Sequence, residues 1–333
     1  MSAERLDRLR SLLTAHAVDV LVLRPSSNLR YLLEATLPTF LVVTPDGSPV
    51  HAVDTPRDVV ALIPVGARVA VDPQMPAHEL LALQASLGPE TPIASAAPLL
   101  APLRMRKSAE EIEVMDRAAN AVDRALVAAR DLTWSGSTER EMARRLRALL
   151  LETGHEEIVS VAVAAGENSA DPHHRPSARV INPGDAVRVN LGGRYGGYCS
   201  DTARMFVVAE PPEDFEAMYS VVLAAQTAAC EAVRPGVAVG EIDAIAREVI
   251  TDNGYGAFIL HRTGHGIGLD AYEPPYLTPE DGTVLDAGVT MSIGPGVYLP
   301  ELYGARIEDV VVCTDMGARR LNQTPRLLSV VDL

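Results

Sequence analysis

The stretch VRVNLGGRYGGYCSD, residues 187–201, reads as a strand that carries polar groups where an apolar core would be expected. Four similar clusters accompany it along the chain: GENSADPHHRP (166–176), HRTGHGIGLDAYEPP (261–275), MSIGPGVY (291–298) and GARIEDVVV (304–312). In all but MSIGPGVY, glycines open space beside an acid or a histidine. Burying such groups without partners is costly, so their presence at strand centres needs an explanation. The two-residue strand period predicts that His261, Thr263 and His265 share one face, as do Arg306 and Glu308. A single Asp or His in a strand is more often a structural hydrogen-bonder. Five such clusters in one chain point to a shared cleft.

Working outward, the flanking segments are helical. KSAEEIEVMDRAANAVDRALVAAR (107–130) places Ser108 and Glu111 in capping-box relation, with Ile112, Met115, Ala119, Val122 and Leu126 at helical spacing. A second helix is predicted to start at Thr138, with Glu141 three residues on and Gly154 at its end. Two more are expected at 213–233 and about 240–252. The strands predicted between and after them are VSVAVAAG, DAVRVNLGG, ARMFVVA, VTMSIGPGVYL and EDVVVCT, which makes residues 104–333 an α+β domain. Residues 1–103 alternate helix and strand. VDVLVL (18–23), TFLVVTPDGSPVHAV with its Pro-Asp-Gly-Ser turn, and GARVAVD (66–72) are the strands of an α/β unit. The Ala/Pro-rich segment Ala94–Arg106 has no clear period and reads as a linker.

Composition narrows the function classes. A chain of 333 residues favours two domains. The net charge of −15 argues against nucleic acid or an anionic membrane as partner. No run approaches the roughly 20 apolar residues of a membrane span. The N-terminus, MSAERLDRLRSLL, is charged throughout and reads as an amphipathic helix rather than a signal peptide. Cys199, Cys230 and Cys313 are widely spaced and odd in number, so a reducing, cytoplasmic setting without disulfides is expected.

The five clusters, in this order, resemble the pita-bread metallopeptidase family: prolidase, aminopeptidase P, methionine aminopeptidase and the metal-free relative creatinase. KSAEEIE after a smaller α/β domain, and NLRYLLEAT at 28–36, extend the resemblance over nearly the whole chain. It implies a creatinase-like N-terminal domain (1–103), a pita-bread catalytic-type domain (104–333) and a homodimer. In that family five side chains hold two divalent cations. Carried over residue by residue, three positions keep the ligand type: Asp201, His265 and Glu308. The first Asp position is Asn190, and the Glu of the E-P-G turn is replaced in Gly294-Pro295-Gly296. His173 and His261 match substrate-binding histidines, and Arg306 precedes Glu308 as the pattern requires. The H-E-x-P motif reads Tyr272-Glu273-Pro274-Pro275, which places Tyr272 and Glu273 at the substrate cleft.

Two carboxylates and one imidazole suit at most one divalent Mn, Zn or Fe ion, weakly held, or none. Three readings follow from the resemblance. One is an Xaa-Pro peptidase acting on a small peptide or amide C–N bond with a single metal, with His173, His261 and Arg306 as catalytic groups. Another is a metal-independent, creatinase-like hydrolase or lyase using His173. The third is a catalytically silent homologue that binds a peptide or a protein.

Overall fold

The computed structural model describes residues 3–33 and 38–332; the last three residues of NLRYLLEAT and the first two of MSAERLDRLRSLL lie outside the described residues. Two compact units divide the chain, Met1–Arg104 and Met105–Leu333. Among the described residues no helix is long and apolar enough to cross a membrane.

In the first unit a five-stranded sheet runs in the order His51–Val53, Phe40–Val43, Val20–Leu23, Val69–Val71, Ile93–Ser95. The central strand VLVL is buried at every position, pairing antiparallel with Phe40–Val43 and parallel with Val69–Val71. A continuous apolar run without alternation is what a strand covered on both faces requires. The predicted turn forms between its two strands: Asp46 Oδ1 accepts from Thr44 Oγ1 at 2.7 Å and from the Ser48 amide at 3.1 Å. The segment read as a linker behaves differently. Ala97–Met105 is a helix that buries Leu99, Leu100 and Leu103. Its short apolar face was masked in the sequence by Pro98 and by Pro102, which stands inside the helix.

Among the described residues the second unit has two larger sheets, each backed by a helix pair, and a two-stranded sheet of Gly296–Leu299 and Tyr303–Arg306. Ala109–Ala129 and Glu139–Glu152 begin with complete capping boxes at Ser108 and Thr138. They pack on a sheet ordered Ser329–Val331, Thr202–Val208, Ala186–Tyr195, Glu157–Ala165, with Trp134 stacked on Phe206 in that core. Phe215–Ala232 and Val239–Asp252 supply Ala229, Ile242 and Ala246 to a core with Leu277, Met291 and Val311. Those last three belong to the second sheet, ordered Glu273–Leu277, Gly264–Gly266, Thr290–Ile293, Asp309–Thr314, Gly317–Arg320. A backbone bridge between Ala203 and Glu308 joins one sheet to the other. With the helices on the outer faces, polar side chains converge between the sheets.

One buried carboxylate fastens the loop that carries His173. Glu139 accepts from the Ala165 amide (2.8 Å) and Asn168 Nδ2 (3.1 Å) on one oxygen. Its other oxygen takes His174 Nε2 (2.7 Å) and both the amide and hydroxyl of Ser177 (2.8 and 2.7 Å). Burial works against the charge, but the bonds from His174, Ala165 and Ser177 outweigh it and hold the carboxyl below its ordinary value of 4.5. Such a group contributes stability above its unfolded-state value and loses it as pH falls. Glu139→Ala is therefore expected to cost about 3–5 kcal/mol in urea unfolding at neutral pH. As pH falls through and below 4.5 the wild-type chain should progressively lose the Glu139 contribution, and Glu139→Gln should show a shallower acid decline.

Candidate active site

His265 sits at the middle of the three-residue strand Gly264–Gly266, between two other strands. A Cβ on Gly264 would stand 2.1 Å from the Ser292 carbonyl, and one on Gly266 2.3 Å from the Pro274 carbonyl. The paired glycines let both neighbours close in and fix the imidazole. His265 is buried, and its Nδ1 lies 3.1 Å from the Gly266 carbonyl. A carbonyl only accepts, so Nδ1 carries the hydrogen and Nε2 presents a lone pair. Among the described residues that Nε2 has no hydrogen-bond partner. It lies 3.7 Å from Asp201 Oδ2 and 4.0 Å from Glu308 Oε1. Burial pushes the His265 pKa down, which keeps the ring neutral.

Glu308 is fully buried and uses its oxygens unequally. Oε1 accepts from Ser292 Oγ at 2.7 Å and Arg306 Nη2 at 2.6 Å, while Oε2 has no partner among the described residues. Burial raises its pKa, but the Arg306 guanidinium wins and holds the group ionised. Asp201 goes the other way: burial, followed by the charge of Glu308, pushes its carboxyl up. Its Oδ1 accepts from Asn190 Nδ2 at 2.7 Å. Asp201, His265 and Glu308 each offer one ligand atom, and these atoms all lie within 4.8 Å of one another. Two carboxylate oxygens and one imidazole nitrogen, two of the three residues with an orphaned buried atom, fit one divalent cation.

Asn190 and Gly294 occupy positions that shape this cluster. The Asn190 amide is a donor, so it ties up Asp201 instead of adding a negative charge. A Cβ on Gly294 would meet Cβ, Cγ and Cδ of Glu308, each at 2.8 Å. Glu308 thus lies in the ground that a side chain at 294 would need.

Above the cluster is a cavity of about 590 Å³ that His173, His261, His265, Tyr272, Asn190 and Arg306 all help to line. Asp201 and Glu308 stand one hydrogen bond behind that lining, the first behind Asn190 and the second behind Arg306. His173 is exposed, and among the described residues only its backbone amide is bonded, to Asp171 Oδ1. His261 is tied at both nitrogens: Nδ1 donates to the Arg262 carbonyl and Nε2 accepts from the Tyr298 hydroxyl, both at 2.7 Å. Burial, then Arg306, pushes its pKa down to about 4. The Tyr272 ring leans on His265 with centroids 4.2 Å apart and is 57% exposed, so it roofs the cluster at the cavity mouth.

Two expectations change in detail. Glu273 is not among the cavity residues; it is buried and pairs with Lys107 Nζ at 2.7 Å. The strand predicted to carry His261, Thr263 and His265 shrinks to Gly264–Gly266. Asp243, from a helix, takes the Thr263 amide at 3.0 Å, so the backbone there has a side-chain partner in place of a strand. The Thr263 carbonyl accepts from the Gly294 amide and holds that turn. Residues not singled out in the sequence include Ser292, Tyr298 and Arg188. Arg188 stands two residues before Asn190, and strand alternation was a sufficient signal for its presence on the same face.

Residues 113–315 match the model of metallopeptidase family M24. The chain is 41% identical over 281 residues to the "Probable dipeptidase PepE" of Mycobacterium tuberculosis, covering 84% of this chain and 74% of that one. It is 42% identical over 227 residues to the "Xaa-Pro dipeptidase" of Pyrococcus furiosus, covering 68% and 65% respectively. Among solved structures, dipeptidase PepE from Mycobacterium ulcerans superposes with a TM-score of 0.93 at 36% identity, covering 99% of this chain and 97% of that one. A prolidase from Thermococcus sibiricus gives 0.92 at 30% identity, covering 99% of both. The pita-bread fold follows from these matches.

The Gly294 contact makes a stability prediction. Gly294→Ala must displace Glu308 at its Cβ, which is no flexible tip, and is expected to cost about 1–3 kcal/mol. Urea unfolding of the variant measures this; an unchanged midpoint would contradict the packing described.

Proposed function

Because the chain belongs to metallopeptidase family M24, we propose that it hydrolyses small Xaa-Pro-type peptides with one divalent cation held by Asp201, His265 and Glu308. The supporting observation is the pair of buried, unpartnered atoms, His265 Nε2 and Glu308 Oε2, in one cluster with Asp201. Each such atom costs about 1–3 kcal/mol when left unsatisfied, and a cation would satisfy both. Charge sets the number. With both carboxylates ionised around a cation, they and Arg306 sum to −1, so one dication leaves +1 and two would leave +3 in a buried site. When bound, the cation supplies a Lewis acid for the scissile carbonyl and acidifies water.

The chain's own groups do the rest. His173, whose imidazole at the cavity has no partner among the described residues, is the proton donor or acceptor. Arg306 and Ser292 hold Glu308 with Oε2 available, and Asn190 does the same for the second oxygen of Asp201. His261, neutral and fixed by Arg262 and Tyr298, is a wall and a positioning residue. With one oxygen of each acid already committed, binding of Mn, Zn or Fe should be weak. By resemblance the proposal extends to a homodimer in the cytoplasm; the three cysteines are all buried and free.

Those same committed oxygens favour a second reading. The Asn190–Asp201 and Arg306–Glu308 bonds make a network that needs no metal, as in a creatinase-like reaction with His173 as acid and base.

Protein supplied with Mn, Zn or Fe should retain about one equivalent per chain by elemental analysis and cleave Xaa-Pro dipeptides. His265→Ala should lower metal affinity at least tenfold, and Asn190→Asp should raise it. No stoichiometric metal, with no cleavage after Mn or Zn is added, defeats the first reading. Full turnover in excess chelator establishes the second.

A further inference from the structure

The pair that draws Glu273 out of the cleft is buried on both sides. Lys107 Nζ lies 2.7 Å from Glu273 Oε1, with the two side chains 2% and 6% exposed. An apolar pair of similar volume often serves stability as well as or better than a buried ion pair, so the charges here call for a further reason. Both partners are fixed. The Lys107 amide donates to the Gly288 carbonyl at 2.9 Å, and Arg106 bridges to Val289, just ahead of the strand Thr290–Ile293. A Cβ on Gly268 would stand 2.7 Å from Glu273 Oε1 and 2.8 Å from Lys107 Cε, so this glycine lets the turn before Tyr272 lie against the pair. Glu273 then holds that turn. Its Oε2 accepts from the Asp270 amide at 3.3 Å, and its backbone stands opposite Gly266 in the strand pair. Both features that orient the His265 ring belong to this segment: the Gly266 carbonyl at Nδ1, 3.1 Å away, and the Tyr272 ring, 4.2 Å between centroids.

We propose that Lys107 is a positioning residue for His265, acting through Glu273: it keeps Tyr272 on the face of the imidazole and the Gly266 carbonyl at Nδ1, so that Nε2 stays aimed between Asp201 and Glu308. The proposal rests on the single-metal reading above. Tyr272 is 57% exposed, so its own burial does not hold it over His265. Its place comes from the backbone of the turn, and the turn is pinned where the Glu273 carboxylate meets Lys107 and Asp270. Charge-assisted hydrogen bonds are shorter and stronger than neutral ones, which suits a group that must fix a backbone rather than fill a space. An apolar pair at 107 and 273 could fill the same space, but it would give up the bond to the Asp270 amide. Partners that orient a ligating histidine from behind typically matter about 10–100-fold in metal affinity or activity.

The test compares the wild type with Lys107→Arg and with the double variant Lys107→Met/Glu273→Met. Three quantities are measured: the urea midpoint, Mn²⁺ affinity by calorimetry, and the rate at which diethyl pyrocarbonate labels each histidine of the metal-free protein, mapped by mass spectrometry. The double variant should unfold near the wild-type midpoint and yet bind Mn²⁺ about tenfold more weakly. His265 should be labelled severalfold faster in it, while His155, 3% exposed and bonded to Ser200, stays protected. Lys107→Arg keeps the charge on a longer, planar head group and should lose less affinity. A double variant with wild-type Mn²⁺ affinity and wild-type His265 labelling overturns the proposal, since the pair is then only structural. Labelling of His155 and His265 together overturns it as well, because the whole fold has then loosened. Should the double variant not fold, Lys107→Arg decides, with unchanged affinity and labelling counting against the proposal. If the wild type binds no Mn²⁺, the single-metal reading fails and labelling alone decides: selective exposure of His265 supports the positioning role, and no change overturns it.

Discussion

Glu308 is where the backbone and the chemistry of this protein meet. Its main chain exchanges both bonds with Ala203, at 3.2 and 3.3 Å, and so ties the second sheet to the first. Its carboxylate is clamped on one oxygen by Arg306 and Ser292 and turns the other, unpartnered, into the cluster with His265. Gly294 gives the side chain its room. Asp201 lies close enough for the two charges to repel, and Asn190 steadies it. Any change in how Glu308 lies would move the inter-sheet joint, the Arg306 clamp and the ligand cluster together.

Electrostatics divide the cavity into two layers. The acids are set back, each behind a donor, and the lining they leave is cationic. Burial keeps His261 and His265 neutral, so these two shape the cavity without adding to the positive charge.

Much of this was legible in the sequence, because the informative features are local. Capping boxes at Ser108 and Thr138 mark the helix starts, and the glycine-framed clusters at 187–201 and 261–275 mark the strands that meet at the cavity. What escaped depends on partners far along the chain. The Lys107–Glu273 pair draws Glu273 out of the cleft, and Asp243 interrupts the strand before Gly264. The helix Ala97–Met105 was hidden by its prolines. Arg188 is different in kind: its face could be read from alternation, but that its Nε is buried without a partner among the described residues is visible only in three dimensions.

The central claim is that Asp201, His265 and Glu308 hold a single divalent cation. Anomalous diffraction from crystals grown with Mn²⁺, recorded near the manganese edge, tests it most directly. The account predicts one peak per chain, bonded to His265 Nε2 and to oxygens of Asp201 and Glu308. Two peaks, or none with Asp201 and Glu308 still bound to Asn190 and Arg306, would contradict it.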